Sequence, residues 1–476
     1  MWWLFLIVSV TQAQLFFPLE RKSLSGHGTS RQWRTLFDTN TAVHKQNDGV
    51  YFSTVCIGTG KTQCFTVIVD TGSATIAVPC EQCNCGDKHN HFYPFMSDTV
   101  LDSGTMYSQC YGEGSCNYGR LLTDTICIGN DCDMKNGITH SFGCCDTFAP
   151  SFQRQKADGI LGVSPSKNSI WKHFIKEHGL DHNIFSICFG RLYGEMSIGG
   201  WDRDTVDLQN NSIVVQYTPM TTTDNFYRIN VQSIRIGQKN VAIKPYSPMI
   251  DSGSTFSFMR KKNWDVLKDH ILDFCTDKQK CLSDAERNPG GSISNDAEIS
   301  LGCYKFSNEN KTRYMDTFPI LQFQLDQFNH SAPIDMKIPP HQYFFLSGPF
   351  SNVYCIGIFL DMQNVIGANL LENFLIVFKD SPSHMGIASA NCNRRLTYQN
   401  QTTLSQNQTN SSHSDHYNPN IPAMCVAIFL TCMLIRNCYM DFSRREYTIV
   451  PDEEETFEVY ELEEEKDLEM NKFDPI

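Results

Sequence analysis

The sequence predicts an all-β body with minor helices, divided into two lobes and followed by a C-terminal transmembrane helix. Three observations carry this. Between Tyr51 and Cys392, short runs rich in β-branched and aromatic residues, among them FTVIVDTG, RLLTDTICIG, YRINVQSIRIG and FLIVFKD, are broken by Gly, Asn, Asp and Ser, the punctuation of strands and turns. The chain has 476 residues, 41% of them hydrophobic, enough to build two lobes or domains rather than one. One pattern occurs twice, once in each half: VIVDTGS at 67–73 and PMIDSGS at 248–254.

Taken in order, residues 1–13, MWWLFLIVSVTQA, are an apolar run ending in small residues, read as a secretory signal peptide that lacks the usual basic start. Residues 14–47 are polar and basic, with FFPLERKSL and RQWR, and read as a propeptide or linker. The N-terminal lobe covers 48–225 and the C-terminal lobe 226–393, with local helical periodicity in IWKHFIKEHG and NWDVLKDHILDFC. Residues 394–420 have too few apolar side chains to fold and carry three of the six Asn-x-Ser/Thr sequons at Asn210, Asn310, Asn329, Asn400, Asn407 and Asn410, so they read as an exposed, glycosylated stalk. The transmembrane helix is placed at 421–440. Its apolar stretch IPAMCVAIFLTCMLI is shorter than the roughly 20 residues that span a bilayer, but Arg436, Arg444 and Arg445 follow it as the positive-inside rule expects. The acidic tail 441–476 is expected to be disordered in the cytosol, and its YTIV resembles a tyrosine-based sorting signal.

A net charge of −13 and a pI near 5.5 argue against nucleic acid as a partner. Twenty cysteines suit an oxidising lumen. Cys425, Cys432 and Cys438 belong to the anchor, which leaves an odd number, so at least one thiol of the body is free or paired between chains. Cys80, Cys83 and Cys85, with His89 and His91 close behind, can be drawn as a zinc site; in a lumenal protein they read as disulfides of a surface insertion.

The chemistry lies in the repeat. In each copy an apolar strand runs into Asp, then a small hydroxyl residue, Gly and Ser, and each half later holds an apolar pair ending in Gly, in ADGILG (157–162) and NVIG (364–367). Hydrolysing a peptide without a metal requires a water that loses a proton as it attacks while the carbonyl oxygen gains one. Two aspartates about 3 Å apart share one proton and can do both, the ionised member as general base and the protonated one as general acid. Asp70 and Asp251 are therefore the candidate catalytic pair. Gly72 and Gly253 let the two loops approach, Thr71 and Ser252 supply hydroxyls to bond across them, and Ser73 and Ser254 can donate to the outer carboxylate oxygens. Asp158 of ADGILG reads as a structural turn residue, and Phe256, Phe258 and Tyr343 as core.

On these motifs the chain resembles the pepsin-family (A1) aspartic proteases from about Tyr51 to Cys392. The resemblance implies a bilobal pepsin-like fold with the cleft between two β-lobes. It identifies YGEGSCNYGRLLTDTICIG with the family's flap hairpin, so that Tyr111 matches the flap tyrosine and Gly112 and Glu113 join it in closing over substrate; Glu113 could meet a basic side chain. Within the family the chain is most similar to the plasmepsin-V-type membrane-anchored enzymes, through DSGSTF at 251–256, YGEGS, PCEQCNC and the anchor, with β-secretase-type enzymes second. Three departures stand out: Ala77 where the family usually has tryptophan, Gly112 where the plasmepsin-V-type flap tends to have a free cysteine with Cys116 nearby instead, and a short propeptide region.

The function expected is endoproteolysis of secretory-pathway polypeptides bound as extended strands, by a monomer with no metal or organic cofactor. The location expected is a single-pass type I protein with a lumenal body, in the endoplasmic reticulum first, with later endomembrane compartments or the cell surface as alternatives. The rival reading is a catalytically silent, membrane-tethered binding protein on the same fold; a cysteine-rich adhesion ectodomain leaves the duplicated pattern unexplained.

Overall fold

Period-two stretches and short apolar runs become strands where expected. The computed structural model describes residues 15–21, 49–85, 89–112, 114–129, 132–148, 155–191, 193–201, 215–276, 301–305, 315–328, 332–346 and 353–392, all within one compact unit, residues 1–403. Most are strand. A central antiparallel floor takes strands from both halves in the order Leu15–Arg21, Tyr193–Ile198, Ile184–Phe189, Phe374–Lys379, His384–Ser389, Gln216–Thr221. Its middle strands are buried almost throughout, as IFSICF and FLIVFK require, because both of their faces are covered.

On this floor each half repeats one device. The strand Gln63–Asp70 pairs in parallel with Gly159–Gly162, and Met249–Asp251 pairs in parallel with Val365–Gly367. The duplicated sequence pattern thus becomes a duplicated pair of strands. The second half also carries a four-stranded sheet from Lys239–Val241, Val231–Ile236, Leu321–Leu325 and Ile334–Ile338. There the alternation in LQFQL and IDMKI is matched by alternating burial.

The two periodic segments are helices. α1 is Ile170–Glu177, burying Ile170, Trp171, Phe174 and Ile175, the stripe expected of a surface helix. α2 is Lys261–Thr276, with Trp264, Leu267 and Ile271 in the core. Phe256 and Tyr343 are core residues as expected, Phe256 packed against Phe345 and Phe359, whereas Phe258 is only partly buried.

Six disulfides have both partners among the described residues: Cys56–Cys64, Cys80–Cys144, Cys83–Cys85, Cys110–Cys116, Cys127–Cys132 and Cys188–Cys392. The cysteines of the insertion are therefore paired with cysteines, and the free thiol among the described residues is Cys145, which is buried. The expected signal peptide, stalk, membrane span at 421–440 and acidic tail lie outside the described residues. Among the described residues no helix is long and apolar enough to cross a membrane. Of residues 14–47, the stretch 15–21 is a strand at the edge of the floor and 22–47 lies outside the description.

Candidate active site

The two parallel strand pairs bring their carboxylates together. Asp70 ends its strand opposite Gly162, and Asp251 ends its strand opposite Gly367. Both aspartates are more than nine-tenths buried, at 7% and 8% exposure. The following turns interlock so tightly that each glycine lies against the opposite aspartate. A Cβ on Gly72 would stand 2.8 Å from Asp251 Oδ1, and one on Gly253 would collide with Asp70 Oδ1. No larger residue fits either place without parting the loops, which is the close approach that glycine permits.

Four hydrogen bonds lock the loops across the interface. The Ser252 N–H donates to Thr71 Oγ1 at 2.9 Å, and Thr71 Oγ1 donates to the Ile250 carbonyl at 2.8 Å. In mirror fashion, the Thr71 N–H donates to Ser252 Oγ at 3.1 Å, and Ser252 Oγ donates to the Val69 carbonyl at 2.7 Å. Thr71 and Ser252 are fully buried. Each hydroxyl both donates and accepts, a task that a small hydroxyl side chain can perform in that space.

The two carboxylates differ in their surroundings. Asp251 Oδ1 accepts from the N–H groups of Gly253 at 2.9 Å and Ser254 at 3.3 Å, and its Oδ2 accepts from Ser254 Oγ at 2.6 Å. Asp70 Oδ1 accepts from the Gly72 N–H at 2.7 Å. Burial first, and then the charge of Asp251, hold the Asp70 carboxyl well above the usual carboxylate range, and the direct contact with Asp251 adds to the rise; Ser73 and the Gly72 N–H pull the other way. Ser254 thus makes the expected bond to an outer oxygen. Ser73 stands beside Asp70, but its buried Oγ meets no partner at hydrogen-bond geometry.

The segment matched to the flap is a hairpin of Leu101–Cys110 and Cys116–Ile128 paired antiparallel. Its tip is a tight turn, with the Tyr111 N–H donating to the Ser115 carbonyl and the Gly114 N–H to the Tyr111 carbonyl, both at 2.9 Å. Gly114 has φ +88°, a conformation that favours glycine. Tyr111 Oη accepts from Asn117 Nδ2 at 2.8 Å. Gly112 faces the other half, where an added Cβ would lie 4.0 Å from Gln363 Nε2. Glu113 lies outside the described residues. Cys116 is not a spare thiol of the flap: with Cys110 it closes the hairpin tip.

Two neighbours escaped the sequence reading. Tyr107 is buried in the cluster that contains Ala77, Cys145 and Ile160, with Tyr111 packed at its edge. It covers Gly143, where an added Cβ would strike the Tyr107 ring at 2.5 Å. Its hydroxyl is buried without a partner at hydrogen-bond geometry, and burial, with smaller contributions from Cys145 and Asp70, pushes it above the usual phenol range, against a weaker opposing pull from Tyr111. Tyr107 and Ala77 belong to one buried cluster although they stand on different strands, a proximity that sequence spacing does not show. The second is the clamp made by Asp158, whose structural role was expected but whose partners were not. It accepts from the N–H groups of Thr66 at 2.8 Å and Asn90 at 2.9 Å, with His89 Nδ1 at 3.8 Å, and so ties the Cys-rich insertion to the strand that delivers Asp70. Burial would raise its pKa, but these donors outweigh burial and lower it.

Comparison with known proteins agrees with this geometry. The family model described as eukaryotic aspartyl protease matches residues 50–390. The chain is 27% identical to pepsin A of Gallus gallus over 256 residues, covering 51% of this chain and 66% of that one. It is 26% identical to aspartic protease 6 of Caenorhabditis elegans over 225 residues, 45% of this chain and 57% of that one. With cathepsin D of Bos taurus it shares 31% over 176 residues, 33% of this chain and 45% of that one. The chain thus spans roughly half the length of the curated relatives it matches.

Proposed function

Because the chain belongs to the eukaryotic aspartyl protease family, we propose that it is an endopeptidase that cleaves polypeptides by activating water between Asp70 and Asp251. The observation that carries this reading is the pair of buried carboxylates on two cross-bonded loops, one of them held above its ordinary pKa by burial and by the other's charge. In the proposed cycle the pair holds one proton, on Asp70. Asp251, surrounded by three donors, carries the negative charge and takes a proton from water as its oxygen attacks the peptide carbonyl. Asp70 gives its proton to the carbonyl oxygen, which produces a neutral tetrahedral diol. Asp251 then passes the proton it took to the leaving nitrogen, the C–N bond breaks, and Asp70 recovers a proton from a diol hydroxyl as the carboxyl product forms. The starting protonation state is restored.

Substrate is read as an extended strand beneath the hairpin tip, held by main-chain hydrogen bonds. Assignment to the plasmepsin-V-type group, to a secretory-pathway membrane and to a monomer is part of the same proposal. It is supported by the cysteine-rich insertion, by disulfides suited to an oxidising compartment, and by the apolar run at 421–435 with arginines after it.

The test is cleavage of a randomised peptide library between pH 4 and 7.5 by the protein and by Asp70→Asn. Cleavage by the native chain and its loss in the variant is the expected result. Equal cleavage by both would remove Asp70 from the mechanism, and binding of peptides with no cleavage by either would leave the silent binding protein.

A further inference from the structure

The strand that delivers Asp251 has a neighbour for which the reaction has no need. Arg228 pairs with Met249 in antiparallel register. Side chains directly opposite on paired strands share a face, as do residues two apart on one strand, so Arg228 stands on the face that carries Asp251. Ile229 and Ile250 point the other way and are buried in the core. Beyond Arg228 the surface opens into a cavity of about 650 Å³ whose wall includes Phe226, Arg228, Lys244, Tyr246, Arg260 and Lys262. Four of its lining residues are cations and none is an acid, on a chain of net charge −13.

The cavity also lies against the catalytic apparatus. Gln363 and Asn364 complete its wall. The Asn364 carbonyl accepts from the Met249 N–H at 3.1 Å, two residues before Asp251, and Gln363 is the side chain that faces the flap glycine Gly112.

The fold alone gives no reason to gather these charges. Lys262 stands in the first turn of α2, which holds no acidic residue, and a helix N-terminus disfavours cations. The Lys244 side chain beside it, through close approach and like charge, holds Lys262 below the usual lysine range. The two backbone segments are held side by side, because the Lys244 N–H donates to Asn263 Oδ1 at 3.0 Å and Asn263 Nδ2 donates to the Lys244 carbonyl at 2.8 Å. Arg228 is steadied by Asp224 and the Ser247 carbonyl, and Arg260 by the Met362 carbonyl. One of the four cations is thus already paired, Arg228 with Asp224, and Asp265 is paired with Lys261 along the helix, which leaves Lys244, Arg260 and Lys262 without an acidic partner in the lining. An anion in the cavity would relieve the repulsion and meet several donors at once, the arrangement in which charge-assisted hydrogen bonds are strongest.

We propose that this cavity is a subsite for an anionic side chain of the polypeptide, a carboxylate or a phosphorylated hydroxyl, lying within a few residues of the bond that is cut. The proposal rests on the proteolytic reading above.

The experiment uses the full chain and a set of peptides that carry Glu, Gln, phosphoserine or Lys at one position scanned along both sides of the cut. At one position Glu should exceed Gln in kcat/KM by about tenfold, the effect of one well-placed charged contact, and the phosphoserine arm shows which anion is preferred. Lys244→Gln combined with Lys262→Gln should bring the Glu/Gln ratio toward one, and Lys262→Glu should turn the preference toward Lys. A ratio of one at every position in the native chain for Glu and for phosphoserine alike, or a preference unmoved by the lysine variants, overturns the subsite. Peptide binding to Asp70→Asn, followed by fluorescence anisotropy, reads the subsite without cleavage. Tighter binding of the anionic peptides there supports it even if no peptide is cut, an outcome that would sink the proteolytic reading alone. Equal affinity for the Glu, phosphoserine and Gln peptides overturns the subsite whatever the cleavage result.

Discussion

Replacing Thr71 by Val removes one hydroxyl from the lock between the two loops while keeping the side chain's shape. Thr71 Oγ1 accepts from the Ser252 N–H and donates to the Ile250 carbonyl, and the site is fully buried. Both partners would lose that bond with no water to replace it. A buried hydrogen bond contributes about 1 kcal/mol net, and a buried polar group left unpaired costs about 1–3 kcal/mol, so the two lost bonds predict a destabilisation of about 2–6 kcal/mol. Thr71→Ser keeps the hydroxyl and should lose only about 1 kcal/mol with its methyl group. The catalytic effect should be larger than the structural one, because a shift of about 1 Å in reacting groups costs on the order of a hundredfold in rate. Urea unfolding under oxidising conditions, with the slope compared between variants, and kcat/KM on one cleaved peptide provide the two readouts. If Thr71→Val unfolds within about 0.5 kcal/mol of the native chain and cuts at a similar rate, the lock does not position the aspartates and the argument is wrong.

Asp158 and Asp70 should show opposite pH dependence. The folded pKa of Asp158 is lowered by its donors, so the stability it contributes is present above the unfolded value of about 3.9 and is lost as pH falls through the folded value; Asp158→Asn should therefore cost about 1–3 kcal/mol near neutrality, a gap that closes in acid. The folded pKa of Asp70 is raised, so its contribution is complete below about 3.9 and is lost as pH rises through the folded value; Asp70→Asn should therefore unfold later than the native chain at neutral pH and alike in acid, and a more labile Asn variant at neutral pH would contradict the assignment. Tyr107→Phe removes a buried hydroxyl that has no hydrogen-bond partner and should be neutral or stabilising by up to about 1 kcal/mol, whereas Tyr107→Ala should cost about 3–5 kcal/mol by opening a cavity; a loss above about 2 kcal/mol in the Phe variant would show that the hydroxyl is bonded after all.

The aspartates were legible in the sequence because their chemistry is local and repeated. Asp, hydroxyl, Gly and Ser follow one another in each copy, and the partner strands end in Gly162 and Gly367 for the same steric reason. The cross-bonds between Thr71 and Ser252 could be anticipated once two equivalent loops were assumed to meet. What stayed hidden depends on contacts that sequence spacing does not encode. Cys80 pairs across 64 residues and Cys188 across 204, so an odd thiol could be counted, but not that Cys145 would be the free one among the described residues. Lys244 and Lys262 become neighbours only when Asn263 anchors one segment to the other. Tyr107 acquires its place only when its ring meets Gly143, on a different strand, in a cluster that also holds Ala77. Ser73 and Ser254 occupy matching positions in the repeat but differ in the fold, one without a partner at hydrogen-bond geometry and the other donating to its aspartate; a repeated motif does not ensure repeated bonding.

The Cys110–Cys116 bridge has a mechanical meaning. It closes a ring around the five residues of the hairpin tip, so the tip has few shapes to choose from before any peptide arrives. Below it the strand pairing slips between Asp102 and Met106, and Gly104, at φ +70°, has open space around it. There the Gly104 N–H donates to Asp102 Oδ1 and the Thr105 N–H to Ser103 Oγ, so the irregular stretch is closed by its own side chains and the bridged tip lies beyond it. On the proteolytic reading proposed above, a peptide bound beneath the tip would order a segment that the bridge has already restricted, and so would lose less entropy than in freezing a loop without a crosslink.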